Sequence, residues 1–161
     1  MTENRDLLTK VAMLEYRSIL APTDFSAHAG VALRHACGLA HKLGAELHLL
    51  HILPDFVPAS PDPILAPSLP PEYFGQAEAK ARESLAHLLD PDWGSPPAVK
   101  LSVHWGSAVE GIVGYARDHA VDLVVIATHG RTGLRHALLG SVAERIIREA
   151  PCPVLTVRDR S

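Results

Sequence analysis

The chain has 161 residues and a mass of 17.3 kDa, with 47% hydrophobic residues, a formal net charge of -3 and a pI near 6.3. That size suits one domain with a substantial core, and the slightly acidic balance excludes a general attraction to nucleic acid or to an anionic membrane surface. Cys37 and Cys152 are far apart and in no metal-like spacing, so neither a disulfide framework nor a zinc site is implied, and a reducing cytoplasm is the simplest setting.

Residues 1–16 form an N-terminal extension. Glu3, Arg5, Asp6, Lys10 and Glu15 are too evenly spread to leave the apolar core of a secretion signal. Leu7, Leu8, Val11 and Leu14 fit helical spacing, and no stretch of the chain approaches the length of a membrane span.

From Ser18 strands and helices alternate. Ile19 to Ala21 is a short apolar strand that Pro22-Thr23-Asp24 breaks at its carboxyl end. A helix follows from about Ser26 to Leu43, with Ala29, Ala32, Leu33, Ala36, Ala40 and Leu43 on one face and Gly44 as its stop. Leu47 to Leu53 is the second strand. Residues 54–71 are too dense in proline for a helix or a central strand and form a loop, either a disordered insertion or a lid. The second helix runs from about Glu72 to Leu89, with Ala77, Ala81, Leu85 and Leu88 inward, and Asp90-Pro91 ends it. Val99 to Val103 is the third strand, and Val109, Ile112, Val113 and Ala116 mark the third helix.

Leu123 to Ile126 is an unbroken apolar run, as expected of a strand covered on both faces in a parallel sheet. Gly130, Gly133 and Gly140 punctuate the next segment. Ser141 followed by Glu144 is spaced as a capping box, and Val142, Ile146 and Ile147 fall on one face of the helix it opens. Pro151 stops that helix, and Val154 to Val157 is the last strand. The alternation implies an open five-stranded parallel sheet, doubly wound, with helices on both faces.

A strand, a glycine loop and a helix start together make an anion site, because helix-terminal N–H groups are unsatisfied and glycine lets the backbone approach a phosphate. The alternative is that the glycines only turn the chain and Ser141 only caps.

The spacing of Gly130, nine residues, then Gly140-Ser141, after a buried strand and before the final helix and strand, resembles the nucleotide signature of the universal stress proteins. Ile19-Leu20-Ala21-Pro22-Thr23-Asp24-Phe25-Ser26 resembles that family's first strand and turn, and Leu49-Leu50-His51-Ile52 its second strand. The likeness covers residues 17–158. Where the ATP-binding branch has a glycine three places before Gly130, this chain has Ala127, one methyl group where backbone and phosphate come close.

The resemblance implies a Rossmann-like fold, of the type shared with adenine nucleotide alpha-hydrolases, with strand order 3-2-1-4-5. In that order strands one and four meet where the order reverses, the place where such sheets bind ligands. It also implies ATP, with or without Mg²⁺, or a related adenine nucleotide as ligand. Gly130, Gly140, Ser141 and Val142 are expected at the phosphates, mainly through backbone N–H groups. Pro22, Thr23, Asp24 and Ile52 are expected at the adenine and ribose, Ala127 on the floor and Arg131 as added charge. The same likeness implies a homodimer paired through Val154 to Val157, at an edge that would otherwise stay open. The expected role is nucleotide-dependent regulation in a stress response, without turnover. The branch without the glycine signature supplies the rival, a nucleotide-free homodimeric interaction module. A third reading is a slow ATPase, or a protein phosphorylating itself on Ser141 or Thr132.

Other chemistries lack their residues. Gly106 and Gly111 have P-loop spacing, but Ile112 and Val113 stand where lysine and a hydroxyl residue are needed, and Lys10, Lys42, Lys80 and Lys100 all lie outside the glycine loop. No GxGxxG follows the first strand, which argues against nicotinamide chemistry. His48 and His51 point to opposite faces of a strand, and His28, His35 and His41 contain no i, i+4 pair, so no metal site is expected.

Overall fold

A computed structural model describes residues 15–55, 70–129 and 139–159 of the chain. The described strands are β1 (Ser18–Pro22), β2 (Glu46–Leu53), β3 (Val99–Trp105), β4 (Leu123–Ala127) and β5 (Val154–Val157). They form one parallel sheet in the order β3-β2-β1-β4-β5. The chain therefore winds outward from β1 in one direction and then returns past it to β4.

Four α-helices are described: α1 (Ala27–Leu43), α2 (Pro71–Ala86), α3 (Ala108–Asp118) and α4 (Ser141–Glu149). α1 starts where Ser26 Oγ accepts from Ala29 N at 3.2 Å, and stops at Gly44, whose φ of 66° is left-handed. α1 and α2 cover one face of the sheet, packing Ala32, Ala36, Ala40 and Leu85 against Ile19, Leu47, Leu49 and Val125. Alanines at these positions let α1 lie close to the strands. α3 and α4 cover the other face, where Val109, Ile112, Val113 and Ile146 meet Leu20, Leu50, Val124 and Ile126. Every residue of β4 is buried, as its unbroken apolar run requires.

Several local expectations need correction. Leu43 is 49% exposed, since it is the last helical residue and turns with Gly44 away from the sheet; Cys37 takes a buried place on α1. α2 ends at Ala86, three residues early, with His87 N bonded to Ser84 O and Leu88 N to Leu85 O in a tighter last turn. On α4 the buried residues are Ala143 and Ile146; Val142 is 37% and Ile147 47% exposed. Most of the proline-rich loop lies outside the described residues.

The start of α4 also differs from the capping-box expectation. Gly140 donates its N–H to the carbonyl of Thr128 at 2.7 Å, which ties the approach to α4 to the end of β4. Gly140 is thereby the extended N-cap, with φ -71° and ψ 151°, and Ser141 is already the first helical residue. No side chain caps this helix end, and Glu144 pairs with Arg148 one turn on, at 2.7 Å.

Candidate functional site

The carboxyl ends of β1 and β4 sit side by side, and a cavity of about 350 Å³ opens above them. Pro22, Thr23 and Asp24 enter it from the end of β1, Ile52 from β2, Ala127 from β4, and Gly140, Ser141 and Val142 from the start of α4. Eight of the ten residues nominated from the sequence thus line one space. Gly130 and Arg131, the other two, lie outside the described residues, as does Thr132.

The β1–α1 turn is held in a demanding shape. Phe25 has φ 63°, a left-handed conformation that costs a non-glycine residue on the order of 1–2 kcal/mol. Three contacts offset that cost. Thr23 Oγ1 accepts from Phe25 N at 3.0 Å, Asp24 Oδ1 accepts from Ser26 N at 3.0 Å, and the Phe25 ring lies 4.4 Å from that of His51. His51 Nδ1 is 2.8 Å from the Thr23 carbonyl, which can only accept, so Nδ1 carries the hydrogen. Thr23 N in turn donates to Leu50 O at 2.9 Å. The turn is fixed from both sides, with Asp24 Oδ1 held in it by Ser26 N.

On the opposite wall α4 presents its N-terminus. The N–H groups of Ser141, Val142 and Ala143 have no intrahelical partner, and all three residues line the cavity. Gly140 is confined there: a Cβ on it would stand 3.2 Å from the Thr128 carbonyl oxygen and 3.8 Å from His129 Cα. Ala127, the last residue of β4, is 8% exposed and is among the residues that line the cavity.

The sequence did not point to several lining residues. Ala108 and Ile112 come from α3, and Leu50, Ile126, Thr128 and His129 from strands and their ends. Thr128 and His129 could have been named because they directly follow Ala127. The α3 residues could not, since only the stacking of α3 on the β1–β2 face brings them there. His129 Nδ1 lies 3.0 Å from Thr128 Oγ1. Among the described residues no group of three or more His, Cys, Asp or Glu side chains is placed to hold a metal ion, and no helix is long and apolar enough to cross a membrane.

A doubly wound sheet with a cavity at its order reversal, walled on one side by a helix N-terminus, is an α/β domain of the type in which ligands are held at that place. The chain belongs to the universal stress protein family, whose model matches residues 15–158. It is 36% identical over 149 residues to universal stress protein MJ0531 of Methanocaldococcus jannaschii, a match covering 89% of this chain and 82% of that one. Among solved structures it resembles universal stress protein UspA from Lactobacillus plantarum, with a TM-score of 0.74 and 27% identity over 89% of this chain and 99% of that one. Two more distant members share the fold. One was solved in complex with cAMP, at 22% identity and a TM-score of 0.62, covering 89% of this chain and 97% of its own. The other, from Archaeoglobus fulgidus, was solved with dAMP, at 21% identity and a TM-score of 0.58, covering 88% and 98%.

Proposed function

We propose that residues 17–158 bind ATP or a related adenine nucleotide in this cavity, and that the bound state regulates the protein's part in a stress response. The observation that carries the reading is the convergence of the Pro22-Thr23-Asp24 turn, the end of β4 and the start of α4 on one cavity. α4 has the orphan N–H groups and positive dipole end that favour phosphate. Pro22, Ile52 and Ile112 offer apolar surface for a base, while Thr23 and Asp24 offer acceptors for amino and hydroxyl groups. That distant members of the family hold cAMP and dAMP supports the reading at the level of the fold.

In this reading Gly130 and Arg131 complete the phosphate end, and Mg²⁺ accompanies ATP as its counter-ion. The described lining residues include no lysine and no pair of carboxylates arranged for acid–base work, so binding without appreciable turnover is the function proposed. β5 is an outer strand of the sheet with Leu155 39% exposed, which fits pairing with a second copy through Val154 to Val157. The rival reading, a nucleotide-free interaction module, draws on the Ala127 methyl.

A thermal titration separates them. A ligand bound only by the folded state stabilises it by RT ln(1 + [L]/Kd), about 2.7 kcal/mol at a hundredfold excess over Kd, or roughly 5–10 °C in midpoint for a domain of this size. ATP with Mg²⁺ is expected to raise the midpoint of nucleotide-stripped protein saturably. Gly140→Val, which drives side-chain atoms onto the Thr128 carbonyl, should abolish the rise. A flat response at millimolar ATP favours the interaction module instead.

A further inference from the structure

A glycine inside a helix needs a reason, because alanine is the better helix former. α3 contains two, Gly111 and Gly114, and neither has a left-handed backbone. Their surroundings differ. A Cβ on Gly114 would meet nothing within 4 Å, whereas one on Gly111 would lie 2.7 Å from Cδ1, 3.2 Å from Cγ1 and 3.6 Å from Cγ2 of Ile52. The Ile52 side chain fills the volume that any other residue at 111 would claim.

Ile52 also lines the cavity, and Gly111 does not. We propose that Gly111 is a positioning residue for the ligand: by leaving room on α3 for Cδ1 of Ile52, it sets how far that side chain projects into the cavity. It thereby shapes the apolar wall on which a nucleotide base lies. The proposal rests on the nucleotide reading of the cavity.

The mechanics follow from what is free to move. α3 is anchored through Val109, Ile112 and Val113, all buried, and β2 is held in register at Ile52 by pairing with His104 of β3. With both backbones fixed, the side chain yields. Cδ1 is the far end of a flexible chain and can change rotamer at small cost. Ile52 lines the cavity, so an alanine at 111 that displaces Cδ1 from α3 changes the wall a ligand meets. Folding is little affected, and the shape of the site changes.

The test compares ATP affinity by calorimetric titration, and the midpoint without nucleotide, for wild type and four variants: Gly111→Ala, Gly114→Ala, Ile52→Val and the Ile52→Val/Gly111→Ala double. One misplaced methylene in an apolar pocket is worth about tenfold or more. Gly111→Ala is therefore expected to raise Kd by at least that factor with the midpoint at or above the wild-type value. Gly114→Ala should raise the midpoint and leave Kd unchanged. In the Ile52→Val background, which lacks Cδ1, adding Gly111→Ala should alter Kd by about twofold or less, because the 2.7 Å overlap is then gone and only the milder 3.2 Å approach to Cγ1 remains. Wild-type affinity in Gly111→Ala overturns the proposal, and so does a loss that persists undiminished in the Ile52→Val background. A Gly111→Ala chain that is strongly destabilised overturns it as well, since the glycine would then serve packing. Failure of the wild type itself to bind ATP, AMP or cAMP in the same titration defeats the nucleotide reading and this proposal together, and needs no variant to be seen.

Discussion

The two ends of the β1–β2–α3 layer are built on opposite principles. At the carboxyl end of the strands, polar groups and a helix start surround an open cavity. At the amino end, a polar cluster of similar richness is closed on itself. His48 is 3% exposed, with Nε2 3.1 Å from Glu46 Oε2 and Nδ1 3.0 Å from Tyr115 Oη. Glu46 can only accept, so Nε2 carries the hydrogen, Nδ1 accepts from the Tyr115 hydroxyl, and that oxygen accepts from Ser102 Oγ at 3.1 Å. His119 stacks on Tyr115 with ring centroids 3.9 Å apart. Each buried polar group at this end already has a protein partner, and burial then favours a single packed arrangement. At the other end the donors of α4 have no intrahelical partner, so a ligand can complete them. The same fold carries one polar cluster that holds it together and another that, in the proposed reading, meets the ligand.

Substitutions at the two ends should therefore separate stability from binding. The largest stability effect is expected for Tyr115→Phe, which leaves His48 Nδ1 and Ser102 Oγ without their partner. Burying unpaired groups costs about 1–3 kcal/mol. Chemical denaturation should show that loss, and the ATP-induced rise in midpoint should persist; a lost rise would mean the two ends are not independent.

Thr23→Val gives the converse. It removes the acceptor for Phe25 N at the strained turn, for a loss of about 0.5–1.5 kcal/mol. Because Thr23 lines the cavity, the response to ATP should shrink far more than the stability does. A variant that is destabilised yet binds ATP fully would remove the turn from the site.

A gentler probe is pH. Burial lowers the pKa of His48 below its ordinary value, against the pull of Glu46 in the other direction. The unfolded chain then binds more protons than the folded one just below about pH 6.5, so stability falls as pH drops through that range. His48→Gln should flatten this slope in denaturation curves taken between neutral and mildly acidic pH. An unchanged slope would assign the acid sensitivity to other groups.

The smallest change is expected for Arg148→Ala. It removes an exposed i, i+4 pair with Glu144 worth about 0.3–0.5 kcal/mol, and should leave both ends as they were. A marked loss of ATP response in this variant would show that the Glu144 pairing, formed where a capping box was expected, supports the start of α4.

Much of this was legible in the residues. Apolar runs and helical faces placed all five strands and the four described helices to within a few residues, because burial imposes periodicity locally. Ser26 and Gly44 could be read as helix ends, since each acts within its own turn. The Ser141–Glu144 spacing misled for the same reason. A capping box is a local pattern, but a long-range bond from Gly140 to Thr128 shifted the helix start by one residue. The exposure of Ile147 was equally invisible, because which residues of a helix are covered depends on what packs against it.

What the sequence by itself determined was the alternation of strands and helices, the double-faced burial of β4 and the chemical types brought to the loop ends. The tertiary structure decided which of those loop ends meet. Pro22 to Asp24 and Gly140 to Val142 are more than a hundred residues apart and share a cavity only because β4 returns to lie beside β1. His48 and Tyr115, 67 residues apart, and Ile52 and Gly111, on a strand and on the helix above it, find each other in the same way. Local propensity acts through neighbours along the chain, whereas contact, desolvation and free volume depend on neighbours in space, and those exist only once the sheet has closed its order.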